Sequence, residues 1–344
     1  MSEIRPRLVC DDAVPMMEGR LEQFFNVDYL PGEQITRADL KDAKALIVRT
    51  RTRCDKSLLE GTDVSYVGTA TIGMDHFNVP ELTELNIYYT NAPGCNAPAV
   101  AQYVWSCLLR AGFDPARHTL GVVGKGNVGG IVVEWGRRLG ANILVCDPPR
   151  KEKGLSDEDY LSLQELAQKV DAITFHTPLS HSGPHPSYHL ADEKIINLLK
   201  PGTILVNAAR GGVVDEIPLL KAMHSKNLTA IIDTWENETG INGHCGLNPD
   251  LLREAFIATP HIAGYSLQGK QRASRMILET LGSHFGFSPD TSGLEGPYTP
   301  PTVLTPQIII NSYNPAVEMA QLRKSPEDFE RLRNTYPLRN ETGL

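Results

Sequence analysis

The chain has 344 residues, enough for two or three domains with substantial cores. Hydrophobic residues make up 41% and charged residues 22%, ordinary proportions for a globular protein in water. A net charge of -8 argues against broad binding of nucleic acid, which needs a basic face, and no apolar run approaches the length of a membrane span.

The N-terminal stretch "MSEIRPRLVCDD" is charged and lacks an apolar signal core. It also contains the first predicted strand, "RLVCDD". Further strands follow at "ALIVRTR", "VSYVGTAT" and "NIYYTNAP", each ending in polar or small residues, the rhythm of a βαβ sheet with functional loops at strand ends. "NAPAVAQYVWSCLLRAG" carries apolar residues at helical spacing and opens a second unit.

That unit alternates more regularly. Strands are predicted at "TLGVVG", "NILVCD", "DAITFHTP", "TILVNAAR" and "TAIIDTW", with helices between them, as in a doubly wound sheet. After "ATPHIAGYS" comes a helical stretch, "GKQRASRMILETLGSHFG". Residues 288–307 are rich in proline and glycine and read as an irregular wrap. "QIIINSY" suggests a strand, and "SPEDFERLRNTYP" a helix capped by Ser325. The expected fold class is therefore α/β, two doubly wound Rossmann-like domains with a small C-terminal α+β extension. The boundaries are 1–95 for a substrate (lid) domain completed by part of 262–285, 96–261 for a cofactor domain, and 286–344 for the last segment.

Six cysteines, Cys10, Cys54, Cys95, Cys107, Cys146 and Cys245, are scattered without a C-x-x-C pair. They read as reduced packing thiols of a cytoplasmic protein, with neither a disulfide framework nor a metal site.

"LGVVGKGNVGG" places Gly124, Gly126 and Gly129 in the G-x-G-x-x-G order, after a predicted strand and at the start of a predicted helix. Glycines there permit a tight turn, backbone approach to a pyrophosphate and close helix–strand packing, and the helix N-terminus favours an anion. Asp147 closes the next strand, eighteen residues after Gly129. A carboxylate there hydrogen-bonds a ribose 2′-hydroxyl and repels a 2′-phosphate, which points to NAD rather than NADP. Lys125 could add charge beside the phosphates or point to solvent.

Three later segments, "NAARGG", "DTWENETG" and "ATPHIAGYS", each follow a strand, so Arg210, Glu238 and His261 could share one cleft. A guanidinium fork suits a substrate carboxylate. His261 could exchange a proton with a substrate hydroxyl while a hydride moves to a nicotinamide, and Glu238 could pair with it and favour its charged form. Taken alone, His261 reads first as a histidine that packs at a strand end. In "VRTRTR", Arg49, Arg51 and Arg53 would face one side of a regular strand and Thr50 and Thr52 the other.

The motifs "VRTRT", "VGTATIGMDH", "GKGNVG", "VCDPP", "FHTPLS", "LVNAARGGVVDE", "IIDTWENE" and "TPHIAG" together resemble the D-isomer-specific 2-hydroxyacid dehydrogenases, over about Leu8 to Phe285. The resemblance implies that Arg210 binds the substrate carboxylate, Glu238 pairs with His261, and His261 is the acid/base. For NAD it implies Gly124, Gly126, Asn127, Val128, Gly129, Asp147, Thr177, Ala208, Asp233 and Gly264. It is strongest to a branch acting on a small phosphorylated 2-hydroxy acid, in which Thr50, Thr71 and Tyr265 contact substrate and a segment after Phe285 makes a homodimer. Two other readings stay open: a sister dehydrogenase such as one acting on 3-phosphoglycerate, and a non-enzymatic NAD-sensing corepressor. Neither a nucleic-acid nor a membrane partner is expected.

Overall fold

The structure, a computed structural model, describes residues 5–155, 158–238 and 246–341. Cys245 and the end of "DTWENETG" lie outside these residues. The other five cysteines are buried free thiols. Two compact units are present: residues 1–96 with 266–299, and residues 97–265 with 300–344. The last segment of the chain is thus divided between them, and 266–285 is the part of 262–285 that belongs to the first unit.

The first unit is a five-stranded parallel sheet in the order β2-β1-β3-β4-β5, from β1 (Arg7–Asp11), β2 (Asn26–Leu30), β3 (Ala43–Val48), β4 (Tyr66–Thr69) and β5 (Tyr88–Thr90). Period-two alternation places its core on both faces. Leu8, Cys10, Ala45 and Ile47 pack with Ile277, Leu278 and Leu281 of the Leu267–Phe285 helix. Val9, Leu46 and Val48 pack on the opposite face with Leu40, Leu58 and Leu82. Burial on two faces explains why these strands read as continuous apolar runs.

The second unit is a six-stranded parallel sheet, from β6 (Thr119–Val123), β7 (Asn142–Cys146), β8 (Ala172–Phe175), β9 (Ile204–Asn207), β10 (Thr229–Ile232) and β11 (Ile257–Ala258). Its order is β11-β10-β9-β8-β6-β7. An isolated parallel bridge pairs Val145 of β7 with Tyr160. The strand order reverses beside β6, the switch point at which ligands bind in open α/β sheets. No helix among the described residues is long and apolar enough to cross a membrane.

The extension after residue 299 departs from the α+β expectation: its described elements are helices. "QIIINSY" belongs to a helix, Pro306–Ser312, with Pro306 at its start and the Thr305 side chain accepting from the Ile308 amide. Its isoleucines favour a strand by propensity, but the Thr-Pro start is a helix signal, and only Ile309 is buried. "SPEDFERLRNTYP" opens with a short 3-10 turn, Pro326–Asp328, before the Phe329–Asn334 helix, and Ser325 makes no side-chain cap bond. Leu322 and Phe329 join the core of the second unit, which is why this extension folds as part of it.

Candidate active site

The glycine loop leaves β6 and enters the Asn127–Arg138 helix at Gly126. Gly124 has φ +88°, which side chains rarely adopt. A Cβ at Gly129 would lie 1.9 Å from the Gly124 carbonyl oxygen, so only glycine lets the helix start this close to the strand. Asp147 follows β7 and caps the Pro148–Glu152 helix: Oδ1 accepts from the Arg150 amide at 3.1 Å. Oδ2 accepts from the Lys125 amide at 2.7 Å, tying the acidic strand end to the glycine loop. Lys125 does not point to solvent. Its ammonium pairs with the buried Glu158 at 2.5 Å, and Arg137 meets the other oxygen of that carboxylate at 2.6 Å. Burial pushes the Glu158 carboxyl up, but the hydrogen bonds and charges of Arg137 and Lys125 outweigh it and hold it below the ordinary range.

The acid–base pair is built around Asp233, one residue beyond β10. Asp233 is fully buried. Its carboxylate accepts from the Thr259 hydroxyl at 2.7 Å and the amides of Ile262 at 2.8 Å and Ala263 at 2.9 Å. Its own carbonyl accepts from the His261 amide at 2.8 Å. The turn after β11 is therefore wound on one carboxylate, and His261 is held at φ +56°, a left-handed conformation that is costly for histidine. This sets the ring against Glu238, with Nδ1 2.5 Å from Oε1. Glu238 Oε2 accepts from the Trp235 amide at 3.1 Å, so both oxygens are oriented. Burial pushes the Glu238 carboxyl up, and the charge and hydrogen bond of His261, with the Trp235 amide and the charge of Arg333, bring it below the ordinary value. An ionised carboxylate only accepts, so Nδ1 donates and Nε2 is the ring atom left for a reacting proton.

Arg210 follows β9 and is brought to the same carboxyl-terminal edge of the sheet. The Asn207 side chain donates to the Arg210 carbonyl at 3.0 Å and accepts from the Ala209 amide at 3.2 Å, shaping the loop. Beyond it, the His189 amide donates to the Gly212 carbonyl, and the His189 ring stands between Glu236 at 2.7 Å and Asp215 at 3.5 Å. The Arg210 guanidinium donates to the Ala209 carbonyl at 2.8 Å and has no carboxylate partner among the described residues.

Residues 98–263 match the D-isomer specific 2-hydroxyacid dehydrogenase NAD binding domain. An erythronate-4-phosphate dehydrogenase from Bacteroides fragilis is 40% identical, over 98% of this chain and 97% of that protein. One from Escherichia coli is 39% identical, over 97% and 92%. The chain belongs to the D-isomer specific 2-hydroxyacid dehydrogenases. Among solved structures, the Aquifex aeolicus D-lactate dehydrogenase, in complex with NAD and lactic acid, superposes with TM-score 0.66 at 24% identity. It covers 81% of this chain and 96% of that one, which shows a shared fold.

The residues of this dehydrogenase fit the dinucleotide of its family. A Cβ at Gly126 would meet nothing within 4 Å, leaving open space where a pyrophosphate approaches the helix start. The hydroxyls of Thr177 and Thr234, which follow β8 and β10, are buried without a hydrogen-bond partner among the described residues. Such orphans are costly unless a ligand or water satisfies them. Asp147 has used two of about four acceptor positions, which leaves lone pairs for ribose hydroxyls. Ala208, Gly264 and the amides of Asn127 and Val128 lie in the loops and helix start at this same edge.

In the first unit β3 ends at Val48, so "RTRTR" is a turn and the strand alternation expected for it does not apply. Thr50 is exposed in that turn. Arg49 pairs with buried Asp11 at 3.1 Å, and exposed Arg53 with Asp55 at 2.8 Å. Thr71 shares a hydrogen bond with Thr69 at 2.8 Å and donates to the Gly73 carbonyl at 3.1 Å.

Sequence reasoning missed the contribution of the extension. Arg339 donates to the carbonyls of Ile262 and Tyr265 at 2.9 and 3.1 Å, and also to those of Ala263 and Ala99. It therefore grips the backbone that runs from His261 to Tyr265. The Tyr265 hydroxyl accepts from Arg333 Nε at 3.2 Å. No local pattern in the sequence marks these arginines, because their partners lie far away along the chain.

Proposed function

We propose that the protein oxidises the C2 hydroxyl of 4-phospho-D-erythronate, giving 2-oxo-3-hydroxy-4-phosphobutanoate, in the formation of pyridoxal 5′-phosphate. NAD, when bound, accepts the hydride. The observation that carries the reading is the 2.5 Å His261–Glu238 pair beside the NAD-type glycine loop of one unit. The named substrate is supported by relatives about 40% identical along nearly the whole chain.

Arg210 holds the substrate carboxylate with its planar fork. His261 Nε2 takes the hydroxyl proton, and Glu238 fixes the ring and stabilises the imidazolium that forms. Thr50, Thr71 and Tyr265 contact the substrate. Gly124, Gly126, Asn127, Val128 and Gly129 hold the pyrophosphate, and Asp147 the ribose. Thr177, Ala208 and Gly264 line the remaining cofactor site, and Asp233 acts there through the turn it organises. We further propose a homodimer that works in the cytoplasm.

The test is NADH formation from 4-phospho-D-erythronate, 3-phospho-D-glycerate and D-lactate by the parent and by Glu238→Gln. The first acid should give the highest kcat/KM. Glu238→Gln removes the anion 2.5 Å from the ring and should lower kcat with little change in NAD affinity. An unchanged kcat rejects the role of Glu238. No turnover of any of these acids would favour a sensor.

A further inference from the structure

We propose that His189 is a positioning residue: it ties the loop that carries Arg210 to the loop that carries Glu238, so that the guanidinium and the acid–base pair are set together. The inference rests on the reaction proposed above, and every residue it uses belongs to the second unit.

The two loops leave neighbouring strands, β9 and β10. Their bases are joined at Asn207, whose carbonyl accepts from the Asp233 and Thr234 amides at 2.9 and 3.4 Å. Farther out they touch. A Cβ at Gly211 would lie 1.8 Å from the Trp235 carbonyl oxygen, so only glycine lets the Arg210 loop lie this close to the Glu238 loop. Contact alone leaves two loop tips free to slide past each other.

His189 comes from a third segment and holds both tips. Its amide donates to the Gly212 carbonyl at 2.6 Å. A short ladder continues from there: the Ala191 amide donates to the Val213 carbonyl at 3.0 Å, and the Asp215 amide to the Ala191 carbonyl at 3.1 Å. The His189 backbone thus grips the exit of the Arg210 loop. Its ring reaches the other loop, with Nε2 2.7 Å from Glu236 Oε1. Tyr188 stacks on that ring, centroids 4.0 Å apart, and donates its hydroxyl to the same Glu236 oxygen at 3.0 Å. The Glu236 amide donates to the buried Glu216 carboxylate at 2.8 Å. Glu236 is therefore held at backbone and side chain, two residues before Glu238. His189 pays for this reach with φ +50°, a left-handed conformation that histidine keeps only where its surroundings impose it.

The measurements are kcat and KM for 4-phospho-D-erythronate, the Kd of NAD and the melting temperature, all in the full chain. His189→Asn tolerates positive φ but is too short to reach Glu236 as the ring does. It should lower kcat by about ten- to a hundredfold, the scale of a misplaced catalytic group, and leave the Kd of NAD within about twofold. His189→Gln, whose amide nitrogen reaches about as far as Nε2, should restore part of the loss. In a Glu238→Gln background His189→Asn should cost several-fold less, because the group it positions is already disabled. A parental kcat in His189→Asn overturns the role, whatever the melting temperature does, and so does an equal loss in the Glu238→Gln background. If His189→Asn does not fold, Glu236→Ala removes the acceptor at the other end and is judged by the same two criteria. A parent that turns over D-lactate or 3-phospho-D-glycerate but not 4-phospho-D-erythronate sinks the substrate assignment, and the same criteria, read on that acid, decide His189. A parent that turns over none of them sinks the reaction. Weaker binding of oxalate, a planar mimic of a 2-oxo acid, to NADH-loaded His189→Asn than to NADH-loaded parent then upholds the tie between the loops, and equal binding overturns it.

Discussion

At the end of β1 Asp11 is fully buried, and just beyond β10 Asp233 is fully buried too, yet the two carboxylates are held differently. Asp11 meets Arg49 at 3.1 Å, and its one amide partner, Ala13 at 3.0 Å, is only two residues away. Asp233 meets one hydroxyl and the two backbone amides of Ile262 and Ala263. An ion pair anchors a side chain and lets the intervening backbone choose its path. Amides bound to one carboxylate fix the path itself. The second unit thus uses its buried acid to impose the left-handed conformation of His261 from distant amides, and the first uses its acid to tether Arg49 and its own next turn. Where chemistry must be aimed, backbone donors do the holding.

The largest effect should come from the residue so aimed. His261→Ala should lower turnover a hundredfold or more, the scale of a positioned acid/base, while NAD binding persists. His261→Asn makes the comparison sharper, because asparagine tolerates positive φ. It should lose the same activity with less loss of stability, as read by thermal melting. Equal melting losses would mean that the backbone held by Asp233 is not under strain.

Asp147 also holds backbone amides, capping a helix and tying the glycine loop. Asp147→Ala should weaken NAD binding by roughly 1.5–3 kcal/mol and erode discrimination against NADP. Titration of both cofactors checks this, and parental affinities would remove Asp147 from the ribose.

Glu216 gives a pH signature confined to the second unit. Its Oε1 accepts from the Glu236 amide at 2.8 Å. Burial pushes its carboxyl up to about 7. Between the ordinary value near 4.5 and about 7, the folded chain keeps a proton that the unfolded chain has released. Stability contributed by this group is therefore full at the acid end of that window, falls as pH rises through it and levels off above it. The fall should reach the order of 3 kcal/mol. Urea titrations of the parent and Glu216→Gln, compared across this window, should show the slope only in the parent.

The smallest effect should be in the first unit. Thr71→Val removes hydrogen bonds to Thr69 and Gly73 and a proposed substrate contact, and KM should rise several-fold with little change in NAD affinity. A change in NAD affinity as large as that of Asp147→Ala would erase the contrast between the units.

Both sheets and the cofactor loop were legible in the sequence because each depends on local pattern: short apolar runs between polar or small residues, glycine spacing, an acid at a strand end. The His261–Glu238 contact was legible only through the family's motifs, since twenty-three residues separate the partners. The Lys125 partner, Glu158, was not legible because it comes from an irregular stretch that no periodicity identifies. The "QIIINSY" helix was misread because three isoleucines outweighed the Thr305–Pro306 start. The arginines of the extension were silent for a related reason: a guanidinium bound to carbonyls leaves no complementary charge in the sequence to find.

Arg339 carries a consequence for how the enzyme is made. Its bonds to Gln102 and Ala99 join residues 237 and 240 positions apart. A chain leaving the ribosome N-terminus first can form both sheets long before residue 339 has been added. The turn that carries His261 would remain without its guanidinium clamp until residue 339 has been added, and closing so long a loop is a late, entropically costly event. Activity should therefore appear in a pulse of synthesis only after both sheets are complete.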